Sequence, residues 1–210
     1  GLLLLLQVWF LLHIVYWNQY NPSFSAFMQT RWEIASQNQP NVKFHYQWVD
    51  YEEISPHLKR AIIAAEDSQF LNHAGFDFKA MQNALDKNWK EGRWAAGGST
   101  ISQQLAKNLF LSDKKTPWRK LQEAVITYML EKVMTKKRIL EIYLNMIEWG
   151  ENVFGVEAAS QHYFGVNAST LTTKQAAFLA SIVPNPRFYD RNRTTKKLLR
   201  KTDIILKRMP

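Results

Sequence analysis

Two adjacent acids at the end of an apolar run are the residues of this sequence best suited to acid–base chemistry. The run 61–65 is followed at once by Glu66 and Asp67, and then by Phe70 and His73. A carboxylate at the edge of an apolar wall loses hydration, which raises its pKa and makes it a better proton acceptor near neutral pH. Solvated acids at a helix C-terminus explain the same pattern, so the interpretation depends on what the rest of the chain supplies.

A second acid, Glu123, lies in a different electrostatic setting. Arg119 is one helical turn before it and Lys120 lies three residues before it, so the carboxylate faces cations. We therefore expect Glu123 to stay ionised, and we expect Glu66 to be the acid whose pKa its surroundings can raise. Two carboxylates in contrasting environments are typical of acid–base sites. The alternative is an ordinary salt bridge on the surface of a helix, which is worth a few tenths of a kcal/mol.

A glycine pair precedes a third group of polar residues. Gly97 and Gly98 lead into Thr100, and the Thr100–Gln103 spacing predicts a capping box that opens a helix. On that helix Gln104, Lys107 and Asn108 share one face, beside a buried stripe of Ile101, Leu105 and Leu109. Glycines before a helix N-terminus with lysine nearby can hold an anion. The pattern is not a P-loop, because no Gly-Lys-Ser/Thr follows.

The charge of the chain is concentrated in two places. The net charge is +9 over 210 residues, with eight Lys/Arg and one acid in residues 191–210, and nine Lys/Arg and three acids in residues 107–138. Such a band and tail indicate anionic partners, or else ordinary solvated helix faces. The absence of cysteine excludes a disulfide framework and thiolate metal sites. The aromatic content argues against disorder.

Four stretches are predicted along the chain. Residues 1–17 are apolar and end in aromatics, which predicts a membrane-spanning anchor that lacks its own start; a cleaved signal peptide is the alternative, but no small-x-small pattern follows. Residues 18–54 are predicted to be a linker with a short strand near 42–49. Residues 55–190 form the main domain, and residues 191–210 a basic C-terminal helix. The fold class is mainly α.

Within residues 55–190, the start signals predict helices after Ser55-Pro56, Thr100, Thr116-Pro117 and Thr172.

Five ordered blocks of the sequence carry a resemblance to a known family. They are Glu66-Asp67-x-x-Phe70-x-x-His73-x-Gly75-x-Asp77, Gly97-Gly98-Ser99-Thr100-Ile101-Ser102-Gln103-Gln104-Leu105-Ala106-Lys107-Asn108, Arg119-Lys120-x-x-Glu123-Ala124, Lys137-Arg138-Ile139-Leu140-Glu141-x-Tyr143-Leu144-Asn145, and Glu148-Trp149-Gly150 with Phe154-Gly155-Val156-Glu157-Ala158-Ala159 and Tyr163-Phe164-Gly165. The chain resembles the bacterial peptidoglycan glycosyltransferases of the monofunctional biosynthetic type.

The resemblance implies a lysozyme-like helical fold with a large lobe and a smaller, membrane-facing jaw lobe. It implies that residues 55–190 are a glycosyltransferase domain, and we expect no transpeptidase domain in a chain that stops at Pro210. The implied reaction polymerises lipid II into β-1,4 glycan strands with inversion, and undecaprenyl diphosphate leaves. The implied location is the cytoplasmic (inner) membrane, crossed once, with the catalytic domain on the periplasmic or outer face.

The resemblance also implies roles for individual residues. Glu66 would be the base and Glu123 the second catalytic acid, with Asp67, Phe70 and His73 in support. The groups expected to bind the substrate and its diphosphate are Ser99, Thr100, Gln103, Gln104, Lys107, Asn108, Arg119 and Lys120. Glu123 would hold a divalent metal, Mg²⁺ or Mn²⁺, or order the cations around the diphosphate; no organic cofactor is expected.

The expected partners are lipid II, the growing lipid-linked chain, the membrane, and other proteins of cell-wall synthesis and division. Nucleic acid is not expected, since no recognised motif accompanies the basic residues. Two alternatives remain open from the sequence. One is a lysozyme-type lytic glycosidase, which would also use a glutamate in a helical fold. The other is a non-catalytic, membrane-tethered module that binds anionic ligands, which would explain the charge but not the two glutamates.

Overall fold

The computed structural model describes residues 1–92, 97–111 and 116–209, and this part of the chain is mainly α-helical, as predicted. The helices are α1 (Leu2–Gln19), α2 (Ala26–Asn38), α3 (Pro56–Glu66), α4 (Phe78–Glu91), α5 (Ile101–Phe110), α6 (Pro117–Val133), α7 (Lys136–Met146), α8 (Val156–Phe164), α9 (Thr173–Ile182), α10 (Pro186–Arg191) and α11 (Lys196–Arg208). Residues 93–96, 112–115 and 210 lie outside the described part.

The predicted helix starts are confirmed. Ser55 caps α3 with Pro56 in the first turn, and Thr116 caps α6 with Pro117 in the first turn. The helices α5 and α9 each begin with a complete capping box, in which the cap threonine and a glutamine three residues later bond each other's backbone. These local patterns need no tertiary contact to form, which explains why the sequence alone locates them.

A small three-stranded sheet lies beside the helices. Strand β1 (His45–Tyr46) pairs in parallel with β3 (Val153–Phe154), and β2 (Glu148–Gly150) pairs antiparallel to β3. The predicted strand at 42–49 is therefore confirmed over two residues only. Its side chains do alternate between exposed and partly buried positions, but the ladder is short because its partner β3 has two residues.

The predicted linker at 18–54 contains a helix that the sequence analysis missed. Helix α2 begins after Ser25, whose side chain accepts a hydrogen bond from the backbone N–H of Met28 over 3.1 Å, and Met28 is buried. The apolar residues of α2 are spread around the helix, so no amphipathic stripe marks it. It packs against α5 and so becomes part of the domain.

The N-terminal segment forms α1, which packs against α6. Phe10 and Ile14 are buried, and Nε2 of Gln7 donates a hydrogen bond to Gln122 on α6 over 3.0 Å. Leucines 3 to 6, by contrast, are exposed on α1. Across residues 1–92, 97–111 and 116–209 no helix has the length and hydropathy that crossing a membrane requires, so the predicted span at 1–17 is not confirmed.

Two groups of helices position the candidate site. Helix α3, which ends at Glu66, packs against α9 and α11. Helix α5 packs against α6 and α7, and these helices carry the predicted cations and Tyr143. The buried residues of α5 include Ile101, Leu105 and Leu109, the stripe expected from the sequence. The opposite, less buried side of α5 is thereby turned toward the end of α3.

Candidate active site

Glu66 stands at the C-terminal end of α3, on the wall of an open cleft of about 430 Å³. Nε2 of Gln104 on α5 donates a hydrogen bond to Oε2 of Glu66 over 3.1 Å. The hydroxyl of the buried Tyr143 on α7 donates in turn to Oε1 of Gln104 over 3.0 Å, which fixes the orientation of that amide. Among the described residues, no donor bonds Oε1 of Glu66, so this oxygen can accept a proton from a ligand.

The environment of Glu66 raises its pKa above the ordinary value of 4.5. Burial is the main cause, because it disfavours the charged carboxylate, and the neighbouring Asp67 acts in the same direction. The nearby Lys201 ammonium and the hydrogen bond from Gln104 act in the opposite direction. A glutamate balanced in this way is suited to general acid–base chemistry near neutral pH.

Asp67 ties the segment after α3 to the start of α5. Nε2 of His73 donates to both carboxylate oxygens of Asp67, over 2.9 and 3.0 Å, and the backbone N–H of Ile101 donates to Oδ2 over 3.0 Å. The backbone N–H of Gly75 donates to Nδ1 of His73 over 3.1 Å, which assigns the ring proton to Nε2. Asp67 is buried and bonded on both oxygens, so it supports the site structurally.

Thr100 and Gln103 complete this support. The hydroxyl of Thr100 donates to the carbonyl oxygen of Gly75 over 2.7 Å, and both side chains take part in the capping box of α5. Gly75 has a φ of +92°, and an added Cβ would lie 2.8 Å from the side chain of Thr127, so only glycine fits here. Phe70, the remaining predicted support residue, is fully buried below His73.

The cations expected around Glu123 are present. Nη1 of Arg119 lies 3.2 Å from Oε2 of Glu123, and Nζ of Lys120 forms an ion pair with Oε1. Glu123 is buried, whereas the Lys120 side chain is half-exposed and also donates to Oγ of Ser99 over 3.3 Å. Ser99 lines the cleft that contains Glu66, so this bond joins Lys120 to one residue of that cleft.

A second cleft, of about 460 Å³, lies on the other side of Gln104. Its lining includes Lys107, Asn108, Arg119 and Arg187. Nε of Arg119 and one terminal nitrogen of Arg187, Nη2, are buried without a hydrogen-bond partner in the described part of the chain. Buried donors normally have an acceptor, so a ligand with anionic oxygens could supply the acceptors for these two N–H groups.

The structure thus places several of the predicted residues along two clefts, whereas Gln103, Lys120 and His73 line neither of them. Glu66, Ser99 and Thr100 line the first cleft, and Lys107, Asn108 and Arg119 line the second. Gln104 connects them, since it lines the second cleft and bonds Glu66 in the first. In the described part of the chain, Glu66 and Glu123 make no direct hydrogen bond. Glu123 instead pairs with Arg119, which lines the second cleft, and with Lys120, which bonds Ser99 of the first cleft.

Several residues at the site were missed by the sequence analysis. Arg208 lines the first cleft, and the charge of Lys201 lowers the pKa of Glu66. Both residues belong to α11. Arg187 lines the second cleft, where its Nε lies 2.7 Å from Glu148. The only sequence signal for the α11 residues was the basic composition of residues 191–210, which does not identify which side chains face the domain.

The predicted metal at Glu123 stays a prediction, and the surroundings of this carboxylate favour the other predicted role, the ordering of cations. Both of its carboxylate oxygens already face cations, Arg119 on one side and Lys120 on the other. Among the residues that the structure describes, no group of three or more His, Cys, Asp or Glu side chains could hold a metal ion. Glu123 is therefore placed to order two cations, and we derive no step through a metal ion.

Comparison with known sequences identifies the family of the chain. A sequence model described as Transglycosylase matches residues 33–210. Proteins named biosynthetic peptidoglycan transglycosylase are similar over nearly the whole chain: one from Nitrosomonas europaea is 65% identical, covering 99% of this chain and 85% of the relative. One from Nitrosospira multiformis is 64% identical (97% and 88%), and one from Laribacter hongkongensis 58% identical (100% and 92%). The chain belongs to the transglycosylase family.

Proposed function

We propose that this protein polymerises lipid II into the β-1,4 glycan strands of peptidoglycan, by inverting glycosyl transfer. The relatives named biosynthetic peptidoglycan transglycosylase support the activity, at identities of 58 to 65%. The observation that carries the proposal is the position of Glu66. Glu66 lies in one cleft and accepts a hydrogen bond from Gln104. Gln104 also lines a second cleft, whose wall carries several cations.

In the proposed step Glu66 acts as the general base. It accepts the proton of the 4-hydroxyl of an incoming lipid II, and the freed oxygen bonds to C1 of the sugar at the reducing end of the growing chain. The bond between C1 and the phosphate oxygen breaks, and its electron pair leaves with undecaprenyl diphosphate. Attack from the face opposite the leaving group inverts the α-linked donor to a β-linkage. The open cleft lets Glu66 return its proton to water.

The departing diphosphate requires positive charge rather than a protein acid. Lys107, Arg119 and Arg187 line the second cleft, and one buried N–H group of each arginine has no acceptor among the described residues, so it can donate to an oxygen of a diphosphate. We assign the donor to this cleft and the acceptor to the cleft of Glu66. Gln104 then lies between the two substrates and orients the base by its hydrogen bond.

Glu123 is proposed to act through the cations that it holds. It is buried and paired with Arg119 and Lys120, so it fixes the direction of two long side chains before substrate arrives. Preorganised charge of this kind stabilises a transition state without reorganisation during the reaction. If Mg²⁺ or Mn²⁺ takes part, we propose that phosphate oxygens of the substrate hold it, since the carboxylate oxygens of Glu123 are engaged.

We further propose a lysozyme-like arrangement of a large lobe and a smaller jaw lobe, located at the outer face of the cytoplasmic membrane. A lipid-linked substrate requires an enzyme at the envelope and near its lipid. The exposed leucines of α1 and the exposed Trp118, Leu121 and Tyr128 of the adjacent α6 support contact with lipid. Single-pass attachment, and association with other proteins of cell-wall synthesis and division, are also part of this proposal.

The decisive experiment incubates the purified chain with lipid II in micelles and separately with finished glycan strands. We expect glycan polymer from lipid II and no cleavage of finished strands. Cleavage without polymerisation would establish the lytic alternative, and binding of lipid II without either reaction would establish the non-catalytic one.

A variant pair tests the cationic cleft in the same assay. Lys107→Ala should raise the KM for lipid II by on the order of tenfold, because one cation beside the diphosphate is lost. Lys174→Ala, which removes an exposed lysine on α9, is the matched control and should behave as the wild type. Equal KM values for the two variants would contradict the assignment of the second cleft.

A further inference from the structure

Helix α11 forms part of the wall of the cleft that contains Glu66. It packs against α3, which ends at Glu66, and against α9. Leu198, Thr202 and Ile205 are buried in this contact, and Oγ of Ser181 on α9 lies 2.9 Å from Oγ1 of Thr202. The helix is thereby fixed in rotation, so the direction of its remaining side chains is determined.

Two cations of α11, one of which lines the cleft, lie on nearly the same side of the helix. Lys201 and Arg208 are seven residues apart, which places them two turns apart on nearly the same side of the helix. Arg208 lines the cleft together with Glu66, and Lys201 is partly buried beside the end of α3. Within the part that the structure describes, Arg208 has no hydrogen bond or ion pair.

The cleft requires positive charge for the substrate that it is proposed to bind. Its described lining includes three acids, Glu66, Asp67 and Asp77, whereas Arg208 is the cation among those residues. Asp67 accepts hydrogen bonds from His73 and Ile101, and Asp77 caps α4, but Glu66 must stay ionised to act as a base. A lipid II molecule, with its diphosphate and peptide carboxylates, would be repelled by unbalanced acids.

We propose that α11 serves the reaction through these two residues: Lys201, on the part of α11 that packs against α3, is a positioning residue for Glu66, and Arg208 binds an anionic group of the acceptor substrate. This inference rests on the proposed role of Glu66. It assigns a function to the basic C-terminal helix, which the motif blocks do not include.

The charges that face Glu66 come from several elements. Lys201 on α11 lowers its pKa, and Asp67 at the end of α3 raises it. Gln104 on α5 donates a hydrogen bond that favours the ionised form, and behind it stands the neutral, fully buried Tyr143 of α7. Burial lowers the pKa of Lys201 itself, Glu66 raises it, and Lys197 lowers it. Removal of Lys201 should therefore raise the pKa of Glu66.

The test for Lys201 measures kcat/KM for lipid II polymerisation as a function of pH. In Lys201→Met the acidic limb of the profile should move to higher pH, because Glu66 then requires a higher pH to ionise. Lys201→Arg should restore the wild-type limb, and Lys207→Met, which removes an exposed lysine of the same helix, should leave it unchanged. If Lys201→Met does not fold, Lys201→Gln takes its place.

The test for Arg208 measures the KM of Arg208→Ala with lipid II and with lipid II whose peptide carboxylates are amidated. A KM raised roughly tenfold with both substrates identifies the diphosphate as the ligand, and a rise confined to the first identifies a peptide carboxylate. An unchanged KM with both, or an acidic limb in Lys201→Met that coincides with the wild type, overturns the inference. Activity of Glu66→Gln separates the two ways in which these tests can fail. If Glu66→Gln retains activity, the proposed function itself fails. If Glu66→Gln is inactive and the α11 variants behave as the wild type, only the role of α11 is refuted.

Discussion

Replacing Asp67 with asparagine should destabilise the protein substantially although it changes one atom. The carboxylate accepts the Nε2–H of His73 and the backbone N–H of Ile101. If the amide oxygen takes the position of Oδ2, the amide nitrogen lies where Oδ1 now stands, 2.9 Å from Nε2 of His73, and two donors face each other. The Nε2–H of His73 then keeps only its 3.0 Å contact with the oxygen that also accepts from Ile101. The histidine cannot change tautomer to relieve this, since Gly75 donates to its Nδ1.

The magnitude follows from the bonds that are lost. A hydrogen bond to a charged group contributes about 1.5–3 kcal/mol, and a buried donor without an acceptor costs about 1–3 kcal/mol. Because the neutral amide oxygen can still accept from Ile101 and, less well, from His73, we expect a loss of about 1.5–3 kcal/mol in the free energy of unfolding. For a chain of this size that corresponds to a fall of roughly 3–12 °C in Tm.

Thermal unfolding followed by circular dichroism, in detergent, measures this loss. Asp86→Asn is the matched control, because Asp86 is an exposed residue of α4 and the same chemical change there should stay within about 0.5 kcal/mol. Hydrogen exchange should also become faster at the first turn of α5 in Asp67→Asn. A variant as stable as Asp86→Asn, with unchanged exchange at Ile101, would refute the argument that Asp67 ties α3 to α5.

Three further predictions concern packing, ionisation and metal. An alanine Cβ at Gly98 would lie 2.9 Å from Cα of Met81, so Gly98→Ala should lower the free energy of unfolding by about 1–3 kcal/mol in chemical denaturation. Gly97→Ala is the control, because its Cβ would meet no atom within 4 Å and the free energy should hardly change. Equal losses in the two variants would contradict the contact with α4. Burial raises the pKa of Glu66, so the folded state binds its proton more tightly than the unfolded state, and stability falls as pH rises above 4.5. Glu66→Gln should therefore be at least as stable as the wild type at pH 7, with a difference that vanishes below about pH 4, and a variant destabilised at pH 7 would argue against this. Chelation with EDTA should leave the Tm of the substrate-free protein unchanged, since both oxygens of Glu123 are paired with cations; a lowered Tm would reveal a resident ion.

Local signals in the sequence predicted what depends on a few neighbouring residues. The capping box of Thr100 and Gln103 and the pairing of Arg119 with Glu123 follow from spacings of three and four residues, and both are found. Helix α2 was missed because its apolar residues do not form one stripe, so its stability depends on packing against α5.

Long-range contacts could not be predicted in this way. The bond from Tyr143 to Gln104 joins residues 39 positions apart, and the bond from Ile101 to Asp67 joins residues 34 apart. Neither spacing leaves a periodic pattern in the sequence. The cations of α11 were visible only as composition, since the identity of the cleft-facing residues depends on how that helix docks on α3 and α9. The site was found through its acids, and its supporting contacts only through the fold.

The central claim is that Glu66 is the base of glycosyl transfer, and one measurement tests it most directly. The turnover of Glu66→Gln with saturating lipid II should fall by on the order of 10²–10⁴-fold, because the amide cannot accept the proton of the attacking hydroxyl. The fold and the affinity for lipid II should be retained, since the amide oxygen can still accept the hydrogen bond from Gln104. Polymerisation by Glu66→Gln within tenfold of the wild-type rate would contradict the account.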